Sequence, residues 1–233
     1  MLTATSSLLL GMSLTTNAAT LVNYDFAGAT TSPNISGANV DTQNASFGTP
    51  SGSSVIGTSG NGGGNVYYGL ENAAASDSEA TAVSNNMYSQ FTLAPADGFS
   101  IDFTDLSFSY GGTSPAANSY TANFIVRSSA DNFTSTLGTF TQSVPAASSN
   151  PTFAASPATI SLSGFEPTTE ATIFRIYAFV TLDGGETFNV QERPRIDNVQ
   201  ITGEVTMIPE ASHAAIALSG LAFGLLTLRK RFA

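Results

Sequence analysis

Cysteine and tryptophan are both missing from the 233 residues, and lysine and histidine occur once each. Without cysteine there is no disulfide frame, no thiolate metal site and no thiol nucleophile. The single histidine, His213, lies near the C-terminus, so the rest of the chain has no imidazole for general-base catalysis or metal ligation. Without tryptophan the preferred stacking platform for sugars is gone, and tyrosine is the second choice. Charged residues make up only 10% of the chain, and the formal net charge is −10. Three of the seven basic residues, Arg229, Lys230 and Arg231, sit in the last five positions, which leaves the body only Arg127, Arg175, Arg193 and Arg195. A body this acidic lacks the basic patch that nucleic acid or an anionic lipid surface requires. It is compatible with cations, with neutral glycans, or simply with solubility.

What is present is apolar and turn-forming. Hydrophobic residues make up 42% of the chain, enough to build the core of one domain, expected over residues 20–205. Short runs alternate with period two. Phe99–Phe103, Leu106–Tyr110, Tyr120–Ser128 and Thr159–Ser163 each place apolar residues on one face. Leu21–Phe26 reads as the first strand, Ala171–Leu182 as a central strand apolar on both faces, and Pro194–Val205 as the closing strand. In that last strand the alternation slips between Ile196 and Val199, which predicts either a β-bulge or a strand that starts late, near Asp197. Gly111-Gly112 reads as a strand end, and Pro145–Pro157 as a connection. Helical periodicity is nearly absent. The pattern predicts an all-β, antiparallel β-sandwich, most simply a jelly roll, followed by a single C-terminal hydrophobic helix.

Both ends of the chain read as export signals. Residues 1–19 carry an apolar run, Leu8–Leu14, before small residues at Thr16 and Ala18, as in a secretory signal peptide, although a basic N-terminal region is lacking. Residues 206–233 have three parts in order: Pro209-Glu210, an apolar stretch expected to be a membrane helix over 211–228, and the basic Arg229-Lys230-Arg231. The 15 residues from Ala214 to Leu228 would cover about 22 Å as a helix. Snorkelling basic stems and the residues from Ala211 onward extend that reach toward a hydrocarbon core of about 30 Å. The cationic end would face the cytoplasm and the body the outside.

The tail resembles a PEP-CTERM sorting signal, with Ala211 standing where the pattern has a second proline. The body resembles the single jelly-roll domains that often precede such tails. Two stretches carry that likeness: Arg127-Ser128-Ser129-Ala130-Asp131-Asn132-Phe133, and Phe174-Arg175-Ile176-Tyr177 with the later run Arg195–Gly203. The resemblance implies an exosortase-type processing enzyme as partner and anchoring in the inner membrane through the helix before processing. It further implies a final place in the cell envelope or the extracellular polysaccharide matrix. The expected role is structural or adhesive and not enzymatic. A carbohydrate-binding module is the alternative, and a secreted glycan-active enzyme the third.

Candidate sites are few. Jelly-roll domains of similar kind often hold a structural calcium between first and last strands, which singles out Asp25 and Asp197 as metal ligands. The competing reading makes both of them strand-end turn caps. Asp183, Glu186 and Glu192 form one acidic group and Glu166 and Glu170 another, and solvated acids explain both more simply than a glycosidase pair. Tyr67, Tyr68, Tyr110 and Tyr120 are the candidate sugar platforms, with core packing as the alternative. Arg193 and Arg195 would clamp an acidic sugar or pair with Glu192 or Asp197. No catalytic residue is assigned.

Overall fold

The computed structural model describes residues 18–48, 54–58, 64–68, 77–115, 118–183 and 192–208. The signal peptide expected over 1–19 falls outside these residues except for its last two positions. The sorting residues Pro209, Glu210, Arg229, Lys230 and Arg231, and the helix expected over 211–228, lie wholly outside them. The strands, in chain order, are β1 (Ala19–Tyr24), β2 (Ile35–Ser36), β3 (Val40–Thr42), β4 (Ser46–Phe47), β5 (Ser54–Thr58), β6 (Gly64–Tyr68), β7 (Tyr88–Pro95), β8 (Phe99–Ser114), β9 (Tyr120–Ser128), β10 (Gly138–Val144), β11 (Ser148–Phe153), β12 (Ala158–Ser161), β13 (Thr172–Leu182) and β14 (Arg193–Met207). One short helix, α1 (Glu79–Ser84), precedes β7.

The strands form two antiparallel sheets. One runs β11-β8-β14-β1-β2, with β12 on β8, β6 on β14 and β5 on β6; the other runs β10-β9-β13-β7-β3, with β4 on β7. Their inner faces meet in one apolar core, which confirms the expected all-β two-sheet sandwich. Phe103, Leu106 and Phe108 of β8 and Ile196, Val199 and Ile201 of β14 face Phe124 and Val126 of β9 and Phe174 and Ile176 of β13, all 2% exposed or less. Aromatic rings stitch the layers together: Phe108 meets Phe124 at 6.4 Å and Phe140 at 5.6 Å.

β13 is central, between β9 and β7. Its outward face is apolar because it is covered as well. α1 packs over it, Tyr177 is 2% exposed, and Tyr88 crosses the Tyr177 ring at 5.3 Å. Farther along the same face the Arg175 guanidinium lies between the Tyr88 ring, 4.2 Å away, and the Phe133 ring, 3.8 Å away, while its Nε donates to Gln90 Oε1.

Three expectations change. Leu106–Tyr110 and Phe99–Phe103 belong to one strand, and Gly111-Gly112 continue it to Ser114. They are glycines because neighbours crowd them: a Cβ at Gly111 would overlap the Thr152 carbonyl oxygen, and one at Gly112 the Tyr120 hydroxyl. The Pro145–Pro157 connection contains β11, which pairs with that same end of β8. The first strand stops at Tyr24, so Asp25 lies just beyond it. The predicted bulge is present, with the β14–β8 register shifting between Asp197 and Gln200 and Asn198 at φ 49°.

Candidate functional site

Asp25 and Asp197, 172 positions apart in sequence, meet where β14 changes partner. On one flank β14 pairs with β6 at Arg195 and Ile196, then with β1 from Val199 onward. The Asp197–Asn198 bulge fills that seam, and the chain leaving β1 turns there through a left-handed Phe26. Asp25 is held by two donors: the Ala27 amide gives to Oδ1 at 3.0 Å and Asn34 Nδ2 gives to Oδ2 at 2.8 Å. Asp197 Oδ1 accepts from the Asn198 amide at 2.7 Å. Burial lifts the Asp197 carboxyl from the ordinary 3.8 to about 6; the Asn198 amide opposes this and the charge of Asp25 adds to it.

The strand register thus brings two carboxylates to one seam, one of them partly desolvated, and oxygens of this kind suit a hard cation. Among the described residues no third Asp, Glu or His completes a cluster, so backbone carbonyls and water would supply the remaining oxygens. When bound, calcium would neutralise the facing charges and fasten the chain after β1 to β14.

A pH dependence follows for the calcium-free protein. Between pH 3.8 and about 6 the folded state binds more protons at Asp197 than the unfolded chain does, so its contribution to stability falls as pH rises through that window. Allowing for solvent screening of a half-exposed group, the loss is about 1 kcal/mol. Urea midpoints in chelator should show this slope in the wild type and lack it in Asp197→Asn. Added calcium at neutral pH should raise the wild-type midpoint and leave the variant unmoved. An equal calcium response in both proteins would remove Asp197 from the ligand set.

The sugar-platform candidates divide differently. Tyr120 is fully buried and its hydroxyl donates to the Thr113 carbonyl at 3.1 Å, so it cannot stack on a ligand. Tyr110 packs against Phe108, Phe124 and Phe140 at 5.6–6.1 Å. Tyr120 is therefore a core residue, and Tyr110 is a half-buried one packed against the core from β8. Tyr67 and Tyr68 lie in β6, whose side chains fall outside the described residues. Arg195 is 8% exposed and its Nε donates to Thr113 Oγ1 at 3.2 Å, which rules out a surface clamp. Glu186 falls outside the described residues. Asp183 accepts from Ser119 Oγ at 2.9 Å, and Glu192 is buried, so the two are not a paired surface site.

Composition and spacing gave no hint of a cleft at one end of the sandwich, between the β9–β10 loop and the β12–β13 loop. It has a volume of about 590 Å³. Ser128–Asp131 and Leu137 form one wall, and Gly164–Thr168 with Glu170–Thr172 form the other. The sequence signals were present but separate: the Arg127–Phe133 stretch and the Glu166/Glu170 group face each other only in the fold.

The first loop is tied down from behind. Arg127 Nη1 donates to the Phe133 carbonyl at 2.9 Å, and Nη2 donates to Glu79 Oε1 at 2.7 Å. This ion pair and a hydrogen bond from Thr136 hold the Glu79 carboxyl below its usual range. The Thr134 and Ser135 amides donate to the Asp131 carboxylate at 3.2 and 2.8 Å, and the Ser135 side chain first, then these amides, keep its pKa low. The second loop is joined to the sheet by reciprocal 2.9 Å bonds between Ile101 and Thr168. Its Phe165 ring, half-buried, packs on Phe103 at 6.4 Å and Phe174 at 6.0 Å.

Comparison with known proteins adds structural likeness only. No family model and no curated protein matches the chain. Among solved structures, the sandwich is similar to the K1 cleaved adhesin domain of Lys-gingipain from Porphyromonas gingivalis, at 16% identity over 77% of this chain and 96% of that one, with a TM-score of 0.35. The K3 cleaved adhesin domain of the same protein gives 17% identity, 79% and 99% coverage, and a TM-score of 0.39. A non-crystalline cellulose specific carbohydrate-binding module gives 8% identity, 64% and 79% coverage, and a TM-score of 0.34.

Proposed function

We propose that this chain is an exported, non-catalytic adhesive module that holds extracellular polysaccharide in the cleft between the β9–β10 and β12–β13 loops. The observation that carries the reading is the cleft itself. It is of the size class that binds a ligand of a few rings, and its walls combine an aromatic face with fixed polar rims, as binding sites do. Its best-defined acid, Asp131, is tied by two backbone amides and held ionised, so it is unsuited to deliver a proton as a glycosidase acid must.

The two ends of the sequence supply the location. The signal-like N-terminus and the tail with Pro209, Glu210, Arg229, Lys230 and Arg231 support export, temporary anchoring in the inner membrane and processing by an exosortase-type enzyme. The mature domain then resides in the envelope or the extracellular matrix. From β7 onward the chain passes repeatedly between the two sheets, which supports the jelly-roll form of the sandwich. The facing carboxylates of Asp25 and Asp197 favour a structural calcium that braces the domain at a seam whose lining residues are separate from those of the cleft.

A glycan array run in calcium and again in chelator tests the binding role. Glycan hits are expected in calcium. Hits that persist in chelator would leave the ion a structural part, and silence in both conditions would reject polysaccharide as the partner.

A further inference from the structure

The cleft is anionic, and among the described residues no cationic side chain lines it. Asp131, Glu166 and Glu170 line it together with the half-buried Phe165. The nearby arginines are committed elsewhere. Arg127 is ion-paired with Glu79, and Arg175 is enclosed by the Tyr88 and Phe133 rings. Glu166 and Glu170 are exposed on a loop that the Ile101–Thr168 bonds anchor.

We propose that the cleft is selective for a polysaccharide carrying free amino groups, that is, a deacetylated hexosamine polymer. The inference rests on the glycan reading above and names its ligand class. An acidic polymer would be repelled by three carboxylates, and a neutral one would leave them without a counterpart. An aminated sugar satisfies both features of the cleft. Its apolar C–H face rests on Phe165 and Leu137, while its ammonium groups donate charge-assisted hydrogen bonds to Glu166 and Glu170. Single exposed pairs are weak, so a polymer that repeats the amine at every ring gains through multivalency. A lysine-rich peptide matches the charge but has slender stems, with no flat face to offer the aromatic wall.

Fluorescence anisotropy on the full chain in detergent tests this with labelled glucosamine hexamer and, as control, the N-acetylglucosamine hexamer. The amine form should bind about tenfold or more tighter and weaken as salt rises. Glu166→Gln with Glu170→Gln should remove most of that preference. Ala130→Trp, at an exposed position lining the cleft, should block both sugars by filling the space. Equal binding of the two hexamers would overturn the amine requirement while leaving the glycan reading intact. Amine-hexamer binding that survives both sets of variants would overturn the site. Oligolysine competing through the same glutamates with equal strength would overturn the sugar as occupant. No hexamer binding at all would overturn this inference, and the array would then judge the broader reading on its own.

Discussion

Replacing Phe174 with alanine should destabilise the domain by about 3–5 kcal/mol, the range for emptying a buried aromatic site. Phe174 is fully buried near the start of β13. Its ring meets Phe103 edge-on at 5.4 Å and lies against Phe165 at 6.0 Å. The substitution therefore removes transfer free energy, two aromatic contacts and the support beneath the cleft wall. Neighbours on two paired strands cannot collapse freely into the space, so a cavity remains. Urea denaturation gives the magnitude directly. Phe174→Leu, which keeps most of the volume, should cost under about 1.5 kcal/mol. A loss below about 1 kcal/mol for the alanine variant would mean that the site relaxes, and that Phe165 does not depend on Phe174 for its position.

Gly112→Ala should cost about 3 kcal/mol or more, the upper end for forcing volume into a packed interior. The added carbon would overlap the Tyr120 hydroxyl and come within 2.9 Å of Val144 and 3.1 Å of the Arg193 carbonyl. Tyr120 has little room to yield. It is fully buried, its phenol is kept neutral by that burial, and it donates to the Thr113 carbonyl. Tyr120→Phe alone should lose about 1 kcal/mol, the worth of one hydrogen bond. Combined with Gly112→Ala it removes the oxygen in conflict, so the double variant should be more stable than Gly112→Ala. The coupling expected between touching residues is about 1–3 kcal/mol. Strict additivity of the two substitutions would show that the clash is relieved by backbone movement.

Gly112 also illustrates what reading along a chain captures. Two successive glycines after an alternating run look like a turn, because local sequence shows the missing side chains and not the atoms that occupy their place. In the fold they lie within β8, with Thr152 of β11 over Gly111 and Tyr120 of β9 over Gly112. β11 itself was hidden in a Pro- and Ser-rich stretch because its pairing with β8 is short and irregular, and its side chains alternate weakly.

Period-two hydrophobicity was a local property and was legible. It identified the all-β class, the centrality of β13 and the bulge at Asp197–Asn198, since each depends on which face of a strand must avoid water. Asp25 and Asp197 were singled out by the resemblance to calcium-holding jelly rolls, and only the tertiary structure, by switching β14 from β6 to β1, shows why two residues so distant in sequence share an electrostatic environment. Charge scarcity was equally legible, and it disfavoured nucleic acid as a partner before any strand was placed. Burial was not: Tyr110 and Tyr120 alternate alike along their strands, and only the opposite sheet makes Tyr120 core and leaves Tyr110 half-buried. The cleft belongs wholly to the tertiary level. Its walls come from two loops that do not alternate and that no strand ladder joins to each other, so no periodicity records their approach. Arg127, Glu79 and the Ile101–Thr168 bridge bring them face to face by contacts that span up to 67 positions of the chain.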